Sequence, residues 1–304
     1  MNCLTKLSHP NFPTLHSGKV RDSLRFDEHS RLIVVTDRIS AFNLKIKTPI
    51  PHKGAVLTAI ANFWFSQTQH IIPNHIIRQI DPNITLVKEA QPIKVEMVVR
   101  AYLTGSMWRG YQDGQRTFSG VTVPDGMQQN QAFPTPIITP TTKDDFDTEV
   151  DEQMIIESGL ASPQIYEQMK QASLALFGFG NQYLAQRGII LVDTKYEFGL
   201  LNGQLILIDE IQTPDSSRFW RTTDYQANPQ TAEQIDKEFL RQWLLKNTIN
   251  GEIPTTLPDE IANETSRRYQ EIYQIITGSP FVPPQGDIME RINQNLQQLL
   301  NNTI

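Results

Sequence analysis

Chemistry is first suggested by a segment in which charge and hydrophobicity alternate. Between residues 189 and 211, Asp193, Lys195, Glu197 and Asp209 stand at odd numbers, while Ile190, Val192, Tyr196, Phe198, Leu200, Ile206 and Ile208 stand at even ones. A period of two marks a strand with one apolar face. Asn202-Gly203 separates the two runs and is the strongest short hairpin signal. A two-residue turn there would pair Leu201 with Gln204 and set Glu197 against Ile208, mixing the two faces. A three-residue loop, with Gly203 left-handed in a bulge, pairs Lys195 with Asp209 and keeps the apolar residues together; this is the predicted register. Lys195, Glu197 and Asp209 then lie within about 5 to 8 Å of one another. Two carboxylates beside a lysine suit a Mg²⁺-nucleotide site, because Mg²⁺ takes a few carboxylates and completes its shell with water and phosphate oxygens. The pattern equally fits a solvated hairpin face closed by a cross-strand salt bridge. The residues that follow, Pro214-Asp215-Ser216-Ser217-Arg218-Phe219-Trp220, add hydroxyl, carboxylate and guanidinium groups just past the strand end, where sites are commonly assembled.

The elements that must hold this hairpin can be read around it. Residues 18–24, 31–37 and 95–102 read as strands. A helix over residues 54–69 places Val56, Leu57, Ile60, Phe63 and Trp64 on one face before Pro73 stops it. Residues 118–142 hold four prolines and two glycines without a sustained period, which predicts a long loop set between two lobes. Ser162 caps a helix with Pro163 at its first position, running to Gly188. Thr231-x-x-Gln234 reads as a capping box for a helix burying Ile235, Phe239, Trp243 and Leu244, and residues 258–277 and 287–300 carry similar stripes. The predicted lobes are residues 1–115, mostly antiparallel β with one helix, and residues 116–304, α+β with the hairpin and C-terminal helices.

Composition narrows the partners. With 27 basic against 33 acidic residues and a net charge of -6, broad attraction to nucleic acid is not expected. Cys3 is the one cysteine, which leaves neither an intramolecular disulfide nor a thiolate zinc site. His9, His16, His29, His52, His70 and His75 form no H-x-x-x-H pair, so a metal here would be held by oxygen. Apolar runs stop after a handful of residues, and the expectation is no signal peptide, no membrane span and a cytoplasmic location.

Several ordered blocks make the sequence recognisable. They are Ser17-Gly18-Lys19-Val20-Arg21-Asp22, Thr36-Asp37-Arg38-Ile39-Ser40-Ala41-Phe42, Glu96-Met97-Val98-Val99-Arg100 with Thr104-Gly105-Ser106, Thr139 to Lys143, Leu191 to Gly199, and Asp209-Glu210 with Pro214 to Trp220. In order and spacing the chain resembles the SAICAR synthetases, phosphoribosylaminoimidazole-succinocarboxamide synthases, in their longer, monomer-type form. The resemblance implies an α+β two-lobed fold: a small antiparallel β lobe like the N-lobe of a protein kinase, and a larger ATP-grasp-like α+β lobe with C-terminal helices. It implies an ATP-dependent ligase of purine biosynthesis that joins L-aspartate to a carboxyaminoimidazole ribonucleotide, with ATP and Mg²⁺, through an acyl phosphate. Small molecules are its partners.

Roles follow by resemblance. Gly18, Lys19, Val20 and Arg21 would cover the nucleotide; Glu197 and Asp209 would hold Mg²⁺, with Lys195 near the ribose or phosphates. Arg100 and Ser106 match the ribonucleotide-binding block, Arg218 the arginine on its 5′-phosphate, and Glu96 would touch the imidazole amine or orient the metal. Lys143 and Asp147 match the segment near the aspartate substrate, although Phe146 stands where the family pattern has a histidine. Ser217, Ser40 and the turn at Asp37 and Arg38 match substrate-cleft positions, and Asp215 and Asp147 are the candidate bases for the aspartate amine. A regulatory ATP-binding module and a small-molecule kinase with the same two-lobed site are the competing classes.

Overall fold

The computed structural model describes residues 2–42, 44–144, 147–232, 235 and 237–302; Phe146 and Gln234 lie outside them. The chain begins with β1 (Thr14–Ser17), β2 (Arg21–Arg25), β3 (Ser30–Val35), β4 (Ile39–Ala41), β5 (Leu44–Ile46), α1 (Lys53–Gln67), β6 (Ile76–Asp81), β7 (Ile84–Lys88) and β8 (Gln91–Tyr102). Next come α2 (Gly105–Gln112), β9 (Thr117–Phe118), β10 (Val121–Thr122), β11 (Ala132–Ile138), β12 (Thr141–Thr142), α3 (Glu152–Glu157) and α4 (Pro163–Ala185). The remainder is β13 (Ile189–Leu201), β14 (Gln204–Ile208), β15 (Ser217–Arg221), α5 (Thr222–Ala227), a 3₁₀ turn, α6 (Glu238–Lys246), α7 (Asp259–Thr277) and α8 (Ile288–Asn301).

Two compact units result: residues 1–63, 75–89 and 235–304 form one, and residues 64–74 and 90–234 the other. This differs from a division at residue 115. β8 belongs to the second unit because it pairs with β13 from Gln91 to Arg100, and the C-terminal helices belong to the first.

In the first unit the antiparallel sheet has the order β1-β2-β3-β7-β6. Leu24, Leu32, Val34, Ile84 and Leu86 bury one face of it under Ile292, Leu296 and Leu299 of α8. Arg291 of α8 donates to both carboxylate oxygens of the buried Asp81, at 2.9 and 3.2 Å, and to Asn83. α8 is thus a structural cover for this sheet. Helix α1 starts against it: a side chain on Gly54 would come within 2.2 Å of the Val35 carbonyl, so only glycine fits.

In the second unit the order is β11-β8-β13-β14, with β12 also on β8 and β15 also on β13. The segment expected to be a long loop therefore supplies two strands of this sheet, and β10 besides. Pro134 and Pro136 are tolerated because β11 is an edge strand, where missing donors face outward. Ser162 caps α4 as expected, accepting from the Ile165 amide at 3.3 Å, and α4 packs along β13 and β8. α6 starts at Glu238, later than a cap at Thr231 would begin it.

The hairpin register is the main correction. Glu197 pairs with Ile208 and Leu201 with Gln204, across a two-residue turn in which Asn202 (φ 52°) and Gly203 (φ 79°) are both left-handed. That is the geometry Asn-Gly favours. The expected three-residue loop assumed one wet face, but β13 is a central strand buried on both sides. Leu191, Leu201, Leu205 and Leu207, apolar at odd numbers, carried that information. Phe198, fully buried, makes the point measurable: Phe198→Ala should destabilise the fold by roughly 3 to 5 kcal/mol. Urea denaturation checks this, and a loss under 1 kcal/mol would contradict the packing.

Candidate active site

β13 sends its odd residues to one face, and its neighbours add to that face by register. Arg100 lies opposite Asp193, Val98 opposite Lys195 and Glu96 opposite Glu197 on β8, while Arg218 of β15 lies opposite Asp193. Partners across an antiparallel ladder share a face, so six ionisable groups converge on one surface of the sheet. The even face is structural. There Gln212 donates to the Tyr196 hydroxyl and to the Leu176 carbonyl of α4, both at 2.9 Å.

The charged face has two ends, about 13 Å apart along β13 from residue 193 to 197. At the first, the buried Asp193 carboxylate accepts from Arg218 and, at 3.4 Å, from Arg100; Arg100 also donates to Thr139 at 2.9 Å. One carboxylate under two guanidinium groups leaves a net positive locus. Gly105, at the N-terminus of α2, lies directly beside it with φ +61°; a side chain there would meet the Arg218 guanidinium at 2.5 to 2.8 Å. Ser106 follows, exposed, in the first turn of α2. Two arginines and a helix N-terminus together suit a phosphate monoester.

At the second end, Lys195 donates to Glu96 at 2.6 Å and lies 3.6 Å from Glu197, and Lys143 donates to the Glu197 Oε2 oxygen. Asp209 joins them by a route the sequence did not predict. The ladder stops at Ile208, and Asp209 takes a left-handed backbone (φ 64°) that breaks strand alternation. Its charge is felt by both Lys195 and Glu197. Burial would lower the Lys195 pKa, but Glu197, Glu96 and Asp209 together raise it, so the side chain is a permanent cation. Burial, then Asp209, push Glu197 up to about 8 against the two ammonium groups.

The Oε1 oxygen of Glu197 is buried and has no hydrogen-bond partner among the described residues. This oxygen faces the Lys195 ammonium at 3.6 Å without a hydrogen bond, and with a second carboxylate beside it would suit a small, hard divalent cation. Among the described residues, no group of three or more His, Cys, Asp or Glu side chains could hold a metal by itself, so water and phosphate oxygens would complete its shell. Because binding would require ionised Glu197, Mn²⁺ affinity should tighten up to about tenfold per pH unit between pH 6 and 8. Calorimetric titration tests this, and a pH-independent affinity would remove Glu197 from the ligand set.

Other expected residues are less central. Ser217 lies opposite Thr194 and donates to its hydroxyl at 2.7 Å, on the even face, away from the charged cluster. Asp215 is half-buried, its amide bound to Thr213 at 3.2 Å; Asp147 is exposed with φ 50°. Phe146, the departure from the family pattern, lies outside the described residues. In the first unit, Gly18, Lys19, Val20 and Arg21 form the β1–β2 turn and Ser40 sits in β4. Asp37 is an internal anchor, accepting from the amides of Leu4 at 2.7 Å and Gly54 at 2.9 Å. Asp193 and Gly105 were underrated by sequence reasoning: the odd parity of Asp193 was visible, but its two arginine partners come from distant strands.

Comparison with known proteins now bears on this geometry. Residues 14–257 match the family described as SAICAR synthetase. The chain belongs to the SAICAR synthetase family. A phosphoribosylaminoimidazole-succinocarboxamide synthase of Azobacteroides pseudotrichonymphae is 43% identical over 99% of this chain and 97% of its own length. The SAICAR synthase of Saccharomyces cerevisiae, solved with SAICAR bound, superposes with a TM-score of 0.83 at 33% identity, covering 91% of this chain and 99% of the yeast one. A type-2 SAICAR synthetase solved with ADP shares the fold at 24% identity and a TM-score of 0.69, over 90% and 100% of the two chains. Family membership makes this chain an ATP-dependent ligase of purine biosynthesis. Among the described residues, no helix is long and apolar enough to cross a membrane.

Proposed function

We propose that the odd face of β13 is where this chain joins L-aspartate to the carboxyaminoimidazole ribonucleotide. One observation carries the reading: an arginine pair and a carboxylate pair stand at opposite ends of one strand face. Arg100, Arg218 and the α2 N-terminus with Ser106 hold the 5′-phosphate, which directs the imidazole carboxylate toward Lys195 and the imidazole amine toward Glu96. The Gly18–Arg21 turn binds the ATP phosphates. Glu197 and Asp209 would hold Mg²⁺, which, when bound, offsets charge on the ATP phosphates. Ser40 and Lys143 contribute to substrate binding, whereas Ser217, bonded to Thr194 on the even face, supports the strand pair instead.

The imidazole carboxylate attacks the γ-phosphorus, ADP leaves, and an acyl phosphate forms. The α-amine of L-aspartate then attacks the acyl carbon; inorganic phosphate leaves, and the amine proton passes to Asp215 or Asp147. Lys195, always charged, shields the approach of anionic groups to one another. The test is ADP release with each substrate omitted in turn, using ribonucleotide labelled with ¹⁸O in its carboxylate. Release that needs both substrates, with ¹⁸O appearing in inorganic phosphate, supports the ligase through an acyl phosphate. ADP release that leaves a phosphorylated ribonucleotide without aspartate would mark a kinase.

A further inference from the structure

The turn between β1 and β2 is held from behind by one side chain. Arg38 uses all five of its N–H donors within the chain: Nε to the Lys19 carbonyl at 3.3 Å, Nη1 to the Thr5 carbonyl at 2.8 Å and to Asp22 at 3.1 Å, and Nη2 to the Gly18 carbonyl at 3.2 Å and to Asp22 at 2.8 Å. Asp22 is buried and also accepts from Ser17 at 2.6 Å. The next carbonyl, Val20, accepts from the Thr36 hydroxyl at 2.7 Å and from the Thr36 amide at 3.1 Å. Three consecutive carbonyls are therefore drawn to one side. In a trans peptide the C=O and N–H of the same unit point in opposite directions, so the amides of Lys19 and Val20 turn to the other side. Consecutive amides facing one way are what an anion needs from a turn.

We propose that Arg38 is a positioning residue for the phosphate-binding turn rather than a ligand of substrate: it sets the peptide planes of residues 18–20 and so prepares the turn for the ATP phosphates before ATP arrives. This rests on reading the Gly18–Arg21 turn as the nucleotide loop. With no donor left over, the guanidinium cannot also grip a substrate, although its place in the Asp37-Arg38 turn suggested that it would. Lysine keeps the charge facing Asp22 but cannot bridge the Gly18 and Lys19 carbonyls together.

The experiment compares steady-state constants for Arg38→Lys, Thr36→Val and Lys19→Ala, with thermal midpoints recorded for each. Arg38→Lys should raise KM for ATP about tenfold, with kcat within threefold of the parent protein and KM for L-aspartate unchanged. Thr36→Val, nearly isosteric, should move KM for ATP in the same direction by about threefold, which decides the matter if Arg38→Lys fails to fold. If Lys19→Ala raises KM for ATP while neither Arg38→Lys nor Thr36→Val does, the turn binds nucleotide and the positioning role of Arg38 is wrong. If Lys19→Ala also leaves KM for ATP unchanged, the nucleotide-loop reading itself fails.

Discussion

Glu197→Gln is expected to lower kcat about 10³-fold at saturating Mg-ATP while leaving the metal-free fold at least as stable as the parent. The first half follows from losing a charged ligand at the point where ATP phosphate charge must be offset, an effect of several kcal/mol in the transition state. The second half follows from linkage. The Glu197 carboxyl titrates near 8 in the fold, above its unfolded value of 4.5. The folded state therefore binds the proton more tightly, and this carboxylate lowers stability progressively as pH rises from about 4.5 to 8. A neutral amide of the same shape removes that cost. Lys195 keeps Glu96 and Asp209 as partners, and Lys143 reaches solvent. Activity and thermal unfolding measured at pH 8 check both halves. A variant that turned over at the parent rate would remove Glu197 from the metal site, and a large fall in Tm would show that Glu197 stabilises the fold instead.

Gly105→Ala is expected to raise KM for the ribonucleotide about 10- to 100-fold without replacing any charged residue. Two effects combine there. A left-handed backbone at φ +61° costs a side chain about 1 to 2 kcal/mol. More specifically, the new methyl would lie 2.5 to 2.8 Å from the Arg218 guanidinium, so the arginine must move off its Asp193 anchor. Losing one charge-assisted contact to phosphate accounts for the change in KM. The thermal midpoint should fall by only a few degrees, and KM for ATP should stay at the parent value. Arg218→Lys, which retains the charge but not the planar fork, should match the ribonucleotide effect. Equal losses in KM for all three substrates would instead indicate general damage to the second unit.

The two sites differ in how legible they were. The common face of Asp193, Lys195 and Glu197 required only the period of a strand, and that local geometry holds whatever packs around it. The cap at Ser162 was readable for the same reason, since its bond runs to an amide three residues away. The ordered motifs were enough to suggest the family. The hairpin register was not settled locally, because alternation in one strand cannot tell whether its second face meets water or another layer. β8, about a hundred residues earlier, makes β13 a central strand, and burial on both faces removes the penalty that seemed to forbid the Asn-Gly turn.

Asp209 shows the same limit at a single residue. Its parity matched Glu197 in the sequence, yet the two meet only because its backbone turns left-handed after the last rung of the ladder. Arg38, legible as part of a motif, became a brace rather than a ligand once five acceptors were seen around it. The sequence by itself determined which residues alternate, where α4 is capped and which family the chain resembles, because these depend on neighbours within a few positions. Tertiary structure decided the register, the partners of each charge and the cover over each face, because those depend on contacts between segments that the chain brings together only by folding.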